Sequence, residues 1–137
     1  MIPDKIHLEI VTPVRRVFEA EVSEVVLPGA EGSFGVLPGH APMLTGLAAG
    51  VAVAKGSFGE QVLAINDGFA EVTGDRVLVM AETCEKAEEI DTDRAKAKVE
   101  ECESQIKNPE ADPEIVRLRM LKHLARLRAK HGLSGTL

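Results

Sequence analysis

Up to about residue 83 the apolar positions come in short runs, several with a two-residue period. Ile6, Leu8 and Ile10 alternate with Lys5, His7 and Glu9, which places one set on a single face of a strand. Val22, Val25, Val26 and Leu27 make a second run, followed by Val51–Ala54, Val62–Ile65, Phe69–Thr73 and Val77–Ala81. Each run is β-branched or apolar, and the breaks carry Gly or Asp, as strand boundaries do. Lys55-Gly56-Ser57, Asn66-Asp67-Gly68 and Gly74-Asp75 are expected to be hairpin turns, because Gly and Asn tolerate positive φ. Many short strands at this spacing predict an antiparallel β-sandwich or flattened barrel. No crossover helix of the kind a parallel sheet requires is readable here.

After that the period changes to that of a helix. Asp91 is a helix N-cap, and Ala95, Val99, Cys102 and Ile106 follow at spacings of four, three and four. They form one narrow seam, as wide as a single partner helix needs. Asn108-Pro109 ends this helix, and Asp112-Pro113 starts the next, with Pro at the first helical position. The expected helices are about 91–107 and 113–131, folded back on each other across a short turn. On the second, Leu118, Leu121 and Ala125 share one face and Met120, Leu124 and Leu127 a neighbouring one. That arc is wider than the first helix can cover, so it touches either the sandwich or another protein. The chain is therefore expected to be α+β: a β-sandwich domain over 1–86 and a helical hairpin over 87–137, joined by the polar segment Glu82–Asp91.

Composition narrows the function. Hydrophobic residues are 45% of the chain, with no Trp or Tyr and four Phe, so the core is aliphatic. A net charge of −6 gives no support to a nucleic-acid partner. The charge is uneven: Glu85–Lys107 holds eight acids and five bases, whereas Pro113–Leu137 has one acid, Glu114, against six Lys and Arg. Arg119, Lys122, Arg126 and Lys130 line one side of the second helix, either as a solvated face or as a contact for an acidic partner. Cys84 and Cys102 have no metal spacing and read as idle thiols of a reducing compartment. The start of the chain has no apolar signal core and no run reaches about 18 apolar residues, so a soluble chain is expected, linked to a membrane only through another protein.

Enzymatic motifs fail one by one. Gly29–Gly35 is Gly-rich but lacks the Gly-Lys-Ser/Thr ending of a phosphate loop. His7, His40, His123 and His131 have no metal-ligand spacing, and Ser33 and Ser57 sit in no nucleophile elbow. No catalytic residue, metal ligand or obligatory cofactor is expected. What remains is Glu31–Thr45, whose prolines, glycines and His40 make a stiff loop between short strands, better suited to docking than to chemistry.

Within that loop, Gly35-Val36-Leu37-Pro38-Gly39-His40-Ala41-Pro42 resembles the hallmark of the ATP synthase epsilon family. Leu8-Glu9-Ile10-Val11-Thr12-Pro13 resembles the family's first strand, and Ile90-Asp91-Thr92-Asp93-Arg94-Ala95 its helix start. The three matches are in register and the resemblance covers essentially the whole chain. It implies a sandwich that binds the gamma subunit and sits on the c-ring, transmitting ring rotation to the shaft. It also implies a hairpin that inhibits ATP hydrolysis when it extends towards the alpha and beta subunits, and a place on the cytoplasmic face of a bacterial inner membrane. By the same resemblance, Glu31, Ser33, His40 and Pro42 fall in the gamma and c-ring docking loop. Ser33 departs from the pattern, since many members have an acid there. Glu85, Ile90, Asp91, Arg94 and Ala95 match positions used by ATP-binding members, with Lys122 and Arg126 as a basic pair. Glu101 stands where such members have an Arg, and this reversal disfavours phosphate. Asp91 and Arg94 can equally be a helix cap and an ion-pair partner. Two alternatives remain beside the rotor subunit: a free-standing sandwich that grips a small ligand or peptide through Glu31–Pro42, and a hydrolase, which lacks a constellation.

Overall fold

A computed structural model describes residues 4–131, so positions 1–3 and 132–137 of the two expected units lie outside the described residues. The chain runs through β1 (Ile6–Val11), β2 (Arg16–Val22), β3 (Glu24–Gly29), β4 (Gly32–Val36), β5 (Met43–Leu47), β6 (Gly50–Gly56), β7 (Gly59–Thr73) and β8 (Arg76–Lys86). A single 3-10 turn, Ala87–Glu89, leads into α1 (Thr92–Ile106) and α2 (Pro113–His131). The eight strands form one hydrogen-bonded path, β2-β1-β8-β7-β5-β3-β4, with β6 bridging β3 and β7. It wraps around an aliphatic core of Ile6, Leu8, Ile10, Val25, Leu27, Leu63, Ile65, Val72 and Val79.

Two of the three expected hairpins are present. Gly56 pairs with Gly59 around Ser57-Phe58, and Thr73 pairs with Arg76 around Gly74-Asp75. Asn66-Asp67-Gly68 is not a hairpin, however. It is a bend inside the continuous strand β7, with Asp67 at φ 55 and Gly68 at φ 137. Gly68 takes the positive φ read for it, but the second falls on Asp67 rather than on Asn66, and together they serve a corner. Before the bend Leu63 and Ile65 point into the core; after it Ala70 and Val72 do, so the inward phase has moved by one residue. β8 makes the same shift, from Val77, Val79 and Ala81 to Cys84. On the other side of β7, Gly68 pairs with Leu47 and Ile65 with Gly50, so Ala48-Ala49 lies on the same line. β7 and β8 thus bend, and β5 gives way to β6, along one line where the sheet folds over its core.

Other expectations need correction. β1 pairs in parallel with β8, His7 opposite Arg76 through Val11 opposite Met80. No crossover helix is required, because the six intervening strands themselves form the connection. Glu82–Lys86 is not linker but the end of β8, leaving Ala87–Asp91 as the connection. β2 was not legible as a run, and β4 and β5 occupy parts of the expected loop Glu31–Thr45.

The hairpin forms as the spacing predicts, although only Ala95 and Cys102 of the α1 seam are buried and Ile106, at its last turn, is 45% exposed. Asp91 caps α1 by accepting from Arg94 N at 3.1 Å, satisfying one orphan helix amide. α2 lies against the outer side of β6 and β7. There Ala129 and Ile90 close a small second cluster with Val51, Val53 and Ala64. The wide arc of α2 is mostly uncovered: Ile115, Leu118, Leu121 and Leu124 remain exposed. Cys84 and Cys102 are free and buried, and burial pushes the Cys84 thiol up to about 12, which keeps it protonated and unreactive.

Candidate functional site

The Glu31–Pro42 segment is a shaped tip rather than a pocket. Ala30-Glu31 turns β3 into β4, where Gly29 pairs with Gly32, and Ser33 is exposed on the edge strand β4. Leu37-Pro38-Gly39-His40 is a tight turn in which His40 N donates to Leu37 O at 3.1 Å. Pro38 presets its own φ and Gly39 takes φ 85, the two demands of a type II turn. Gly39 N donates to Gly74 O at 2.9 Å, tying the turn to the β7–β8 hairpin. His40 Nδ1 donates to Ala41 O at 2.7 Å, so its imidazole is engaged within the loop. Pro42 is exposed just before β5. Nothing in this loop assembles a nucleophile or an acid/base pair.

An apolar sheet face adjoins it that the sequence reading did not single out. Directly paired residues point to the same side of a sheet. Val11 pairs with Met80, Met80 with Phe69, and Leu44 with Glu71, which neighbours Phe69 on that side. Leu44 is 70% and Phe69 57% exposed, and Met80 is exposed as well. Beside them an open, largely apolar concavity of about 780 Å³ is lined by Val11, Pro13, Leu47, Phe69 and Met80. The available signal was that these strands carry apolar residues on both phases of the alternation, which a one-sided sheet does not need.

A second cleft lies between the hairpin and the sandwich. Arg94 and Lys98 of α1, Lys122, His123 and Arg126 of α2, and Thr83 and Glu85 of β8 line a hollow of about 340 Å³. The structure thus brings together Glu85, Arg94, Lys122 and Arg126, and adds Lys98 and His123, which had not been singled out. Asp91, Ile90 and Ala95 do not line it: Asp91 is the α1 cap, and Ile90 and Ala95 are buried. Arg126 Nε donates to Glu85 Oε1 at 2.6 Å and Nη2 donates to Oε2 at 3.4 Å. Arg126 Nη1 also donates to His123 Nδ1 at 3.2 Å. Glu101 holds Lys98 at 3.6 Å on the exposed side of α1. Arg119, Lys122, Arg126 and Lys130 of α2 do not share one open face in this pose. Arg119 and Lys130 are exposed, whereas Lys122 and Arg126 turn partly into the cleft. Among the described residues no cluster of His, Cys, Asp and Glu can hold a metal, and no helix is long and apolar enough to cross a membrane.

The connection is pinned as well. Arg15 Nη2 donates to Glu89 Oε1 at 3.1 Å, and Glu89 also accepts from Lys86 N at 3.0 Å. The backbone donor and the guanidinium together hold the Glu89 carboxyl below its usual range. Gln61 Nε2 donates to Glu88 Oε2 at 3.1 Å.

Comparison with known proteins agrees with this architecture. Residues 5–87 match the family described as ATP synthase, Delta/Epsilon chain, beta-sandwich domain. The ATP synthase epsilon chain of Geotalea uraniireducens (strain Rf4) is 48% identical over 104 residues, 76% of this chain and 75% of that one. That of Desulforamulus reducens is 37% identical over 90% of this chain and 94% of its own. Among solved structures, a chain of the Euglena gracilis mitochondrial ATP synthase assembly of OSCP, F1 and c-ring superposes with a TM-score of 0.82 at 24% identity, covering 91% of this chain and 81% of its own. The fold, the hallmark loop and these relatives converge: the chain belongs to the epsilon-chain family of ATP synthases, whose members are non-catalytic subunits of that complex.

Proposed function

We propose that this chain is a rotor subunit of the central stalk that couples c-ring rotation to the gamma shaft, and that its helical hairpin restrains ATP hydrolysis when it leaves the sandwich. The observation that carries the first part is the Leu44–Phe69–Met80 face. It groups three exposed apolar side chains on a sandwich face that the chain's own helices leave open, beside the concavity lined by Val11 and Leu47. A surface of this kind is a docking surface, and family membership makes gamma the expected occupant. The tip formed by Glu31, Ser33, His40 and Pro42 is then the part that meets the c-ring and the foot of gamma. Membrane association runs through those partners, at the cytoplasmic face in a bacterium.

The second part is supported by what holds the hairpin down among the described residues: one small apolar cluster around Ala129 and Ile90, the Glu85–Arg126 bridge, and the Arg15 and Gln61 contacts at the connection. Such a unit can detach at modest cost, and its exposed leucines and basic residues are then free to meet alpha and beta. A regulatory ATP is a further reading. Arg94, Lys98, Lys122 and Arg126 face one cleft, so phosphates bound there would tie α1 to α2 in the closed pose. Titration of the isolated chain with millimolar MgATP tests it, and absence of a saturable signal removes it. The main proposal is tested by adding the chain to an epsilon-depleted complex. Hydrolysis should fall and proton-coupled synthesis should recover; a chain that neither binds gamma nor changes either rate would overturn it.

A further inference from the structure

The Glu85–Arg126 bridge touches a histidine whose charge state the geometry dictates. Arg126 is a donor at every nitrogen and cannot accept a hydrogen bond. The 3.2 Å contact between Arg126 Nη1 and His123 Nδ1 therefore requires the His123 Nδ1 lone pair. The ring must be neutral, with its proton on Nε2. An imidazolium has no such lone pair, and it would set a cation against the guanidinium.

The surroundings offer a protonated His123 little compensation. Its direct partner is Arg126, and the cleft it lines carries Lys122 from α2, Arg94 and Lys98 from α1, and Thr83 and Glu85 from β8. Among the described residues Glu85 is the sole carboxylate lining the cleft, and both its oxygens already accept from Arg126. Glu101, beyond Lys98, lies on the exposed side of α1. Arg126 is only 12% exposed, so its charge is poorly screened by water.

We propose that His123 is a proton-sensitive latch, and that its protonation weakens the Glu85–Arg126–His123 bridge and releases the helical hairpin from the sandwich. The inference rests on the reading that the hairpin can leave the sandwich, and it adds the signal that promotes release. Burial and the neighbouring Arg126, Lys122 and Lys98 charges hold the His123 pKa below its ordinary value. The closed pose therefore binds the proton less well than the open one. Above the ordinary imidazole value of about 6.5 the ring is neutral in both poses and the latch has its full strength. As pH falls below that value the open pose takes up the proton first, and the closed-to-open ratio drops. The limiting slope for one proton is about tenfold per pH unit. The effect would link acidification of the surrounding solution to the regulatory state of the subunit.

Methyl NMR on the full chain tests this between pH 5 and 8. Contacts between the Ala129 methyl and Val51 and Val53 report the closed pose, and relaxation dispersion at Ala129 and Ile90 reports the open population. The His123 ring protons report its titration. The open population should rise with His123 protonation. His123→Gln, which can still accept from Arg126 but cannot charge, should hold the hairpin closed and flatten the response. Glu85→Ala, which removes the bridge outright, is the control. If this control opens the hairpin but the wild-type open population ignores pH, or if the response survives in His123→Gln, the latch is wrong and the detachable hairpin stands. If neither acid nor Glu85→Ala opens it, the detachable hairpin fails as well.

Discussion

Arg126 on α2 and Glu85 at the end of β8 are joined at 2.6 Å, across 41 positions of sequence, and this is the main polar link between the body of the hairpin and the sandwich. The guanidinium is largely buried and the carboxylate about one third exposed, so the bridge sits between a surface pair and a core pair. Removing either partner leaves the other partly desolvated. Arg126→Ala or Glu85→Gln is expected to raise hydrogen exchange across α2 by about 1–2 kcal/mol while leaving β1–β8 protected. Equal loss of protection in the sandwich would mean that the two parts unfold together.

Gly68 should tolerate no side chain. Its φ is 137, and a Cβ there would lie 2.0 Å from Met80 O and 2.8 Å from Ala81 Cα, both backbone atoms of the paired strand. Neither can yield without opening the sheet corner. Gly68→Ala is expected to cost more than about 1 kcal/mol in urea denaturation, whereas Gly35→Ala, with open space around it, should change little.

His7 gives the sandwich a pH dependence opposite to that of the latch. Its Nδ1 lies 2.8 Å from Glu21 and its Nε2 2.7 Å from Glu19, so both nitrogens can donate only when the ring is charged. Hydrogen bonds to Glu21 and Glu19 raise its pKa. A raised histidine contributes stability that is complete below the ordinary value of about 6.5 and is lost as pH rises through the folded-state value. Stability of the β1–β2 edge should therefore decline from pH 6 towards pH 8. His7→Gln should remove that slope; an unchanged slope in the variant would assign it elsewhere.

The apolar face should matter for assembly and little for folding. Phe69→Glu or Leu44→Glu places a charge where the isolated chain already meets water, so the melting temperature should stay within a few degrees. Binding to gamma should weaken at least tenfold, the size expected when a buried anchor is lost. Unchanged binding with either variant would move the docking surface away from this face.

The basic side of α2 needs a more selective substitution than its sequence spacing suggests. Arg119 and Lys130 are exposed in the closed pose, whereas Arg126 also holds that pose together. Arg119→Ala with Lys130→Ala should reduce inhibition of hydrolysis without disturbing the closed hairpin. Raised ionic strength should act in the same direction. Arg126→Ala removes a contact and a latch at once, so its effect on inhibition should be smaller. If the double variant inhibits as strongly as the parent at low salt, the exposed leucines Leu118, Leu121 and Leu124 are the better inhibitory contact.

The sequence by itself determined the local elements, because periods of two and of 3.6 are consequences of backbone geometry that any stretch of chain must obey. Asp91 as a cap, Pro38-Gly39 as a turn and the break at Asn108-Pro109 could each be read from a few adjacent residues. The hallmark loop likewise identified the family from contiguous positions. The tertiary structure alone decided what depends on residues meeting across the chain. Asn66 and Gly68 suggest a positive φ, which the structure gives to Asp67 and Gly68, but whether that makes a hairpin or a corner depends on β8 bending, and β5 giving way to β6, along the same line. β2 escaped notice because only Val17 and Val22 of its residues are buried, and the apolar face because outward phases look like noise until neighbouring strands align them. The cleft of Glu85, Arg94, Lys98, His123 and Arg126 is assembled from three elements, so no spacing in the sequence encodes it. The charge state of His123 follows from a guanidinium placed against one of its nitrogens, a relation that exists only once α2 has docked on β8.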